Sequence, residues 1–277
     1  MPGEFQFSCD RRDGANGAAD HALLANWTAV VVTLDLVTSE VNELGQPVGV
    51  SVPGWQSAAV PDAAVMTGRF CRVEPLDPSA HASSLFEANG HDVVGANWTY
   101  LPYGPFADLK SYRNWVDDVA SRSDPMFFAV VDQETQRALG VASYLRIDAS
   151  AGSIEVGHIN FSPLLQRRRA GTEAMYLMMS RVFDELGYRR YEWKCNDLNA
   201  PSKTAATRLG FAYEGTFRQS SVVKGRNRDT AWFAVIDQGW PAIKEAFEKW
   251  LDPGNFDGDG IQRTPLRARQ ELAGSAR

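Results

Sequence analysis

A buried strand pattern, three consecutive arginines and a long apolar helix pattern follow one another in this chain, and their order constrains its fold most. Residues 154–161 (IEVGHINF) have the β-branched, apolar character of a buried strand. Residues 163–179 (PLLQRRRAGTEAMYLMM) then place Arg167, Arg168 and Arg169 at the start of an apolar-periodic helix. Cations destabilise a helix N-terminus unless an anion is bound there. The order predicts an anion site suited to a phosphorylated cofactor, with a solvated helix cap as the simpler alternative.

The basic turn resembles the acyl-CoA pyrophosphate loop of the GNAT N-acyltransferase superfamily. That loop has Gln or Arg, two residues, Gly, one residue, and then Gly or Ala. The resemblance implies coenzyme A binding by a run of seven residues, Gln166, Arg167, Arg168, Arg169, Ala170, Gly171 and Thr172. Arg169 stands where the family has its first glycine, and its Cβ restricts the backbone. We therefore expect a somewhat altered turn whose charge suits a phosphate.

A second segment, residues 196–218 (NDLNAPSKTAATRLGFAYEGTFR), resembles the ribosomal-protein N-terminal acetyltransferase branch of the same superfamily. The matching positions are Asn199, Ser202, Gly210, Phe211, Glu214 and Gly215. The resemblance implies that Ser202 protonates the leaving thiolate and that Asn199 contacts the pantetheine amides. Helix capping by Asn199 and a backbone hydrogen bond by Ser202 are the structural alternatives. Ser220 and Ser221 occupy the stretch where that branch carries its proposed catalytic glutamate, so no base is carried over from there.

The predicted fold class is α/β, with the GNAT architecture of a six- or seven-stranded, V-split mixed sheet flanked by helices. The predicted strands are 69–75, 126–132, 138–147, 153–161, 189–195, 211–219 and 229–236. The predicted helices are 78–89, 107–122, 170–187, 201–209 and 238–250. By resemblance, the cofactor strand diverges from its neighbour, and Ile159, Asn160 and Phe161 form the edge that holds pantetheine and the thioester carbonyl. Rigid backbone N–H groups in such a position stabilise developing negative charge by about 3 kcal/mol each.

Glu155 and His158 are the candidates for accepting the amine proton. Glu155 lies among apolar residues of the central strand, where burial raises a carboxyl pKa and makes it a better base. A structural carboxylate paired with an arginine is the alternative. His158 suits base chemistry near neutral pH, but strand alternation predicts that the two side chains point to opposite faces. A packed core histidine is its alternative, so we rank it second.

The run NWTYLPYGPF, residues 97–106, falls where the family has its acceptor loop. Its aromatic side chains Trp98, Tyr100 and Tyr103 are the candidates for substrate binding. A small core beneath a long loop, including Phe106, explains them equally well. Cys195 ends a strand without a visible paired base, so we interpret it as a buried structural cysteine rather than a nucleophile.

Charge and cysteine usage exclude several function classes. The 277 residues carry a net charge of −6, which gives no support for nucleic-acid binding. No apolar run approaches the length of a membrane span, and no signal peptide is visible at the N-terminus. Three scattered cysteines and four histidines lack any metal-ligand spacing, so we predict no metal. A reducing cytoplasm fits this cysteine usage best.

Changes in residue composition along the chain predict four regions. Residues 1–42 form a poorly defined extension, residues 43–65 an extended arm that packs on the domain through Trp55, residues 66–252 the acyltransferase domain, and residues 253–277 a frayed tail.

The predicted function is direct transfer of acetyl from acetyl-CoA to a primary amine, without a covalent enzyme intermediate. The acceptor is a protein N-terminus or a small molecule, and whether the chain forms a homodimer stays open. One alternative is a natural-product biosynthesis or resistance acyltransferase that uses a non-acetyl or carrier-protein-bound donor. A catalytically weak CoA-binding module of the same fold is another.

Overall fold

The computed structural model describes residues 39–270, in which helices cover both faces of a mixed sheet. The strands are β1 (Glu40–Val41), β2 (Pro47–Val48), β3 (Met66–Thr67), β4 (Cys71–Pro75), β5 (Met126–Asp132), β6 (Ala138–Asp148), β7 (Ser153–Phe161), β8 (Arg190–Asn196), β9 (Ala212–Val223) and β10 (Arg226–Ile236). The α-helices are α1 (Pro78–Asn89), α2 (Leu109–Ala120), α3 (Arg169–Ser180), α4 (Ala200–Arg208) and α5 (Trp240–Leu251). A π-helical turn, Arg181–Glu185, continues α3.

The main sheet has the strand order β3-β4-β5-β6-β7-β8-β10-β9. Its neighbouring strands are antiparallel except for the parallel pair of β7 and β8 at its centre. The predicted mixed α/β fold is confirmed. The sheet has eight strands rather than six or seven because Met66–Thr67 pairs with the outer edge of β4 as an additional short strand.

Helix starts follow from capping residues that the sequence displays. The side chain of Asp77 accepts a hydrogen bond from the Ala80 N–H at the start of α1, and Asp108 forms a capping box with Ser111 at the start of α2. The β9–β10 hairpin is longer than predicted. Lys224 and Gly225 both have positive φ, 50° and 72°, as a two-residue turn matching the strand twist requires.

Two apolar cores lie on opposite faces of the sheet. The larger packs α3 and α5 against the sheet through side chains such as Met178, Phe247 and Tyr191. The smaller packs α1 and α2 against strand residues of β5 and β6, such as Phe127 and Val141. The smaller core does not extend over β8 and β10, whose side chains on this face include Glu192, Lys194 and Trp232, and this part of the sheet is available for a site.

The arm and the tail both contact the main domain. In the arm, the Trp55 indole N–H donates to the Ser150 carbonyl at 3.1 Å, and the Arg189 guanidinium lies 5.4 Å from the Trp55 ring centroid. The prediction of a frayed tail from residue 253 is wrong as far as residue 270, because Phe256 and Leu266 are buried against the larger core. Residues 1–38, which make up most of the predicted extension 1–42, and residues 271–277 lie outside the part of the chain that the structure describes.

No helix between residues 39 and 270 combines the length and apolarity needed to cross a membrane.

Candidate active site

The parallel strands β7 and β8 pair at their beginnings and then separate. Their register joins Ser153–Val156 of β7 to residues 190–193 of β8, and β7 then continues to Phe161 without a partner on that side. Asn160 lies in this unpaired part. Its side chain is 3% exposed, and neither its Oδ1 nor its Nδ2 has a hydrogen-bond partner among the described residues. Buried amides are almost always paired, so this one indicates a missing ligand with both a donor and an acceptor.

The N-terminus of α3 lies directly after β7, with Arg168 as the N-cap and no side-chain cap. The N–H groups of Arg169, Ala170 and Gly171 therefore lack the carbonyl partners that a helix interior supplies. Gly171 permits close packing here, because a Cβ at its position would lie 3.1 Å from the Leu165 carbonyl oxygen. Together with the exposed side chains of Arg167 and Arg168, this turn is a cationic anion site.

Arg169 has a side-chain contact that the sequence did not indicate. It takes the helical backbone as the first residue of α3, and the left-handed residue of the turn is Arg167, with φ 60°. The Arg169 guanidinium lies 4.3 Å from the centre of the Phe70 ring, in a cation–π contact. Binding of a phosphate by Arg169 therefore stays a prediction, with its backbone N–H at the helix start and its guanidinium on an aromatic ring.

The start of α4 places three predicted groups together. The Asn199 side chain accepts a hydrogen bond from the Ser202 N–H at 3.2 Å, which is the capping alternative considered for Asn199. The Ser202 hydroxyl oxygen accepts from the Trp193 indole N–H at 3.0 Å, and the same hydroxyl can donate its proton, as its effect on the neighbouring Cys195 thiol indicates. Cys195 is 5% exposed, and burial raises the pKa of its thiol, as expected of a structural cysteine.

Comparison with known proteins identifies this arrangement. The family model described as "Acetyltransferase (GNAT) domain" matches residues 72–212. A GCN5-related N-acetyltransferase structure from Brucella melitensis is 44% identical, with a TM-score of 0.77 over 80% of this chain and 100% of that chain. The chain belongs to the GNAT acetyltransferase family. It is therefore an enzyme of the acetyl-CoA-dependent acyltransferase class, as its sequence predicted.

Two further proteins that this GNAT protein resembles are less similar to it in sequence. The N-acetyltransferase p20 of Bacillus licheniformis is 26% identical over 54% of this chain and 89% of its own length. The structure of RimL, a ribosomal L7/L12 α-N-protein acetyltransferase, has a TM-score of 0.54 at 18% identity, over 62% of this chain and 94% of that chain. At that identity the likeness is one of fold. Ribosomal-protein acetyltransferases, the branch predicted from residues 196–218, are thus among the fold neighbours of the chain.

The described groups fit the acetyl-CoA that the GNAT family uses. The N–H groups of Arg169–Gly171 and the Arg167 and Arg168 side chains suit a pyrophosphate. The unpaired stretch of β7 at Ile159 to Phe161, with the orphaned amide of Asn160, suits the amides of a pantetheine arm. The carbonyl of Phe161 is already occupied, since the Gln166 side chain donates to it at 2.8 Å. The Thr172 hydroxyl likewise accepts from Arg208 at 3.2 Å.

Glu155 is the buried carboxylate at the centre of the sheet, 3% exposed. One of its oxygens lies 2.8 Å from the Arg146 guanidinium and 2.9 Å from the Lys194 ammonium. Desolvation raises the pKa of this carboxyl, and the two cations oppose that shift. The ion-paired alternative considered for Glu155 is therefore present in the structure.

His158 lies on the same face of the sheet as Glu155, which corrects the prediction of opposite faces. Its φ of 50° and the register shift opposite Val141 and Ser143 mark a β-bulge, which inserts one residue and resets the alternation. The imidazole contacts Phe127 at 5.1 Å between ring centroids and lies parallel to Tyr103 at 5.6 Å. Its Nδ1 is 3.1 Å from the Tyr103 hydroxyl oxygen.

Because His158 is neutral in the folded chain, the stability of the protein should depend on pH. Burial, with the charges of Arg146, Arg122 and Arg228, lowers its pKa to about 4 in the folded chain, below the 6.5 of a free histidine. The unfolded chain therefore binds the additional proton between these values, so stability falls as pH drops from about 6.5 to about 4. We expect a contribution of about 3 kcal/mol at most. Urea unfolding of wild type and His158→Gln at pH 7 and 4.5 measures it, and an equal pH dependence in both proteins would contradict it.

The side chains of the predicted acceptor loop fall into two groups, one packed in the smaller core and one at the cleft. Trp98 is 4% exposed and packs edge-to-face on Phe106 in the smaller core, so the structural alternative describes it better than substrate binding does. A cavity of about 410 Å³ beside Trp98 contains no catalytic candidate. Tyr103 contacts His158, and the Tyr100 hydroxyl donates to the Leu198 carbonyl at 3.2 Å, before α4. These two side chains bring the loop to the opening between β7 and β8.

Four cations near the opening were missed by the sequence analysis. Lys224, in the hairpin turn, donates to the carbonyls of Trp98 and Gly104 at 2.8 and 2.9 Å. Lys194 lies 3.6 Å from the Trp232 ring centroid, and Arg228 is on the same strand as that tryptophan. Arg208 contacts the first turns of α3 through Thr172. The sequence offered one sign of such a cation, namely a charged residue at an inward-facing position of a predicted strand. Lys194 in the predicted strand 189–195 is an example.

Proposed function

We propose that the chain transfers the acetyl group of acetyl-CoA directly to a primary amine, on a protein N-terminus or a small molecule. The observation that carries this proposal is the opening between β7 and β8. The free N–H groups of α3 and the Ser202 hydroxyl lie on its donor side, and His158 faces the loop of residues 96–106 on the other side. Donor and acceptor would thus approach the opening from opposite faces of the sheet.

We assign the base to His158 and a positioning role to Glu155. With Nδ1–H donated to the Tyr103 hydroxyl, the His158 Nε2 keeps a lone pair that can accept the amine proton. Burial keeps this imidazole neutral at pH 7 by lowering its pKa to about 4. Glu155 is bound by Arg146 and Lys194, so we assign its carboxylate to fixing those two cations, although desolvation raises its pKa. Ser202 supplies the proton for the departing thiolate.

The donor is proposed to be free acetyl-CoA rather than a carrier-bound acyl group. Arg167 and Arg168 are exposed at the start of α3, where only a donor with a pyrophosphate would use their charge. We place the reaction in the cytoplasm. Cys71 and Cys195 are both free and buried, which suits a reducing compartment.

The proposal is tested by mixing the protein with acetyl-CoA and a panel of amines and peptides while free thiol release is followed. Mass spectrometry of the acceptor then identifies the acetylated nitrogen. Thiol release that depends on an amine supports the proposal. Acetylated enzyme in place of acetylated acceptor, or release only by water across a broad panel, would overturn it.

The catalytic assignments predict different kinetics for three variants. His158→Gln should lower kcat by about 100-fold or more, as loss of a general base does, and Ser202→Ala by about 10-fold, since water can partly replace a hydroxyl proton. Glu155→Gln should have a smaller effect than His158→Gln. The KM for acetyl-CoA should stay within about threefold of wild type in all three. A larger loss of kcat in Glu155→Gln than in His158→Gln would reverse the two roles.

A further inference from the structure

Arg228 of β10 carries a half-buried guanidinium without an acidic partner among residues 39–270. Its Nε is buried and has no hydrogen-bond partner there, and the ion pairs of neighbouring β7 and β8 do not include it. Burial lowers its pKa, and the charge of Glu155 opposes this shift without an ion pair to Arg228. A half-buried cation without a directly bound anion is costly, so such a position in an enzyme cleft suits an anionic ligand group.

The other charges around Arg228 are already paired. Arg146 and Lys194 share the Glu155 carboxylate, and Lys194 also contacts Glu192 at 2.6 Å. Glu192 is also bound by Arg190 at 2.6 Å, and none of these carboxylates forms an ion pair with Arg228. Arg228 also lies close enough to His158 for its charge to contribute to the lowered pKa of that imidazole. The hairpin that carries Arg228 also reaches the loop of Tyr103, the partner of His158, through the hydrogen bonds of Lys224 to the Trp98 and Gly104 carbonyls.

The acceptor loop is attached to two neighbouring elements of the site. Lys224 ties the loop to the β9–β10 hairpin through two carbonyls, at 2.8 and 2.9 Å. Tyr100 ties it to Leu198 in the connection between β8 and α4. These links favour a small acceptor over an extended chain of a folded protein. In the same β9–β10 hairpin as Arg228, the tilted rings of Phe217 and Trp232, with centroids 4.6 Å apart, supply an apolar surface.

We propose that the acceptor is a small amine that carries a carboxylate, of the amino-acid class, and that Arg228 binds this carboxylate while the amine faces His158. A guanidinium matches a carboxylate with two parallel N–H···O bonds, and the apolar rings accommodate a hydrophobic side chain. This inference rests on the proposed amine acetylation.

The kinetic test compares matched acceptors, namely phenylalanine, phenylalaninamide, phenethylamine and the other amino acids with their amides. Wild type should prefer acids to amides by about 10- to 100-fold in kcat/KM, the range of a hydrogen-bonded charge. Arg228→Gln should lose that preference while its rate with the amides stays within about threefold. Arg228→Lys should keep part of it. The control Arg226→Gln, at an exposed position of the same strand, should behave as wild type.

A binding experiment separates this inference from the proposed function. Calorimetry with CoA-saturated protein compares N-acetylphenylalanine with its primary amide, in wild type and Arg228→Gln. Tighter binding of the acid that disappears in the variant supports the inference even if no amine is turned over. Equal binding and use of acids and amides, or a preference for acidic peptides over amino acids, overturns it. Thiol release with amines but no carboxylate preference would leave the proposed function standing and remove only the inference.

Discussion

The double variant Arg167→Glu/Arg168→Glu should raise the KM for acetyl-CoA by about 100-fold or more. Each exposed arginine at the start of α3 is placed to make hydrogen bonds to phosphate oxygens, and one such charged bond contributes about 1.5–3 kcal/mol. Reversal replaces two attractions with two repulsions beside the same N–H groups. Steady-state kinetics with acetyl-CoA as the varied substrate measures the effect.

Two controls make this result specific to the pyrophosphate. A short acetyl thioester of pantetheine lacks that group, so its kcat/KM should change by less than about threefold in the variant. Lys110→Glu/Arg113→Glu alters the net charge equally at exposed positions of α2 and should leave the KM for acetyl-CoA unchanged. An equal loss with the short thioester would mean that the arginines act on folding or on another part of the site.

Glu173→Ala should be the most destabilising substitution considered. Glu173 is 4% exposed in α3, and its carboxylate accepts backbone N–H groups of Arg69, Phe70 and Cys71 at 2.8, 2.6 and 2.8 Å. The alanine variant leaves three backbone donors without an acceptor, of which that of Cys71 is buried, at about 1–2 kcal/mol each. For a domain of this size the melting temperature should fall by roughly 10–20 °C.

Two control substitutions distinguish the loss of these hydrogen bonds from the loss of one negative charge. Glu173→Gln keeps one acceptor oxygen and should lose about half as much stability. Glu245→Ala removes an exposed carboxylate of α5 and should have almost no effect. Thermal unfolding followed by circular dichroism compares the three proteins. A melting temperature of Glu173→Ala close to that of Glu245→Ala would contradict the account.

The structural role of Glu173 also explains why the donor site is rigid. Its hydrogen bonds attach α3 to the segment that leads into β4, and Phe70 of that segment contacts the Arg169 guanidinium. The segment and the first turn of α3 therefore hold each other in place. This arrangement keeps the free N–H groups of α3 beside the end of β7.

Helix and strand positions were predictable because local chemistry determines them. Asp77 and Asn199 cap helices that begin where the sequence indicated, and the apolar strands β5 and β7 have the predicted bounds. The anion-site turn was recognisable for the same reason, since charge, glycine and helix start are adjacent along the chain.

Side-chain directions and long-range contacts were not predictable in this way. The alternation rule failed at His158 because a β-bulge, which depends on pairing with β6, resets it. The contact of Arg169 with Phe70 was not predicted, because it joins residues about one hundred positions apart. The contribution of Lys224 depends on the hairpin reaching the loop of residues 96–106, which no local pattern encodes.

The most direct test of the account is a crystal structure of the protein with bound CoA. We expect the pyrophosphate oxygens within hydrogen-bonding distance of the N–H groups of Arg169–Gly171 and of an Arg167 or Arg168 side chain. The sulfur should lie in the opening between β7 and β8, with the Ser202 hydroxyl and the His158 imidazole on either side. A pyrophosphate bound away from α3, or a sulfur that does not reach the face carrying His158, would contradict it.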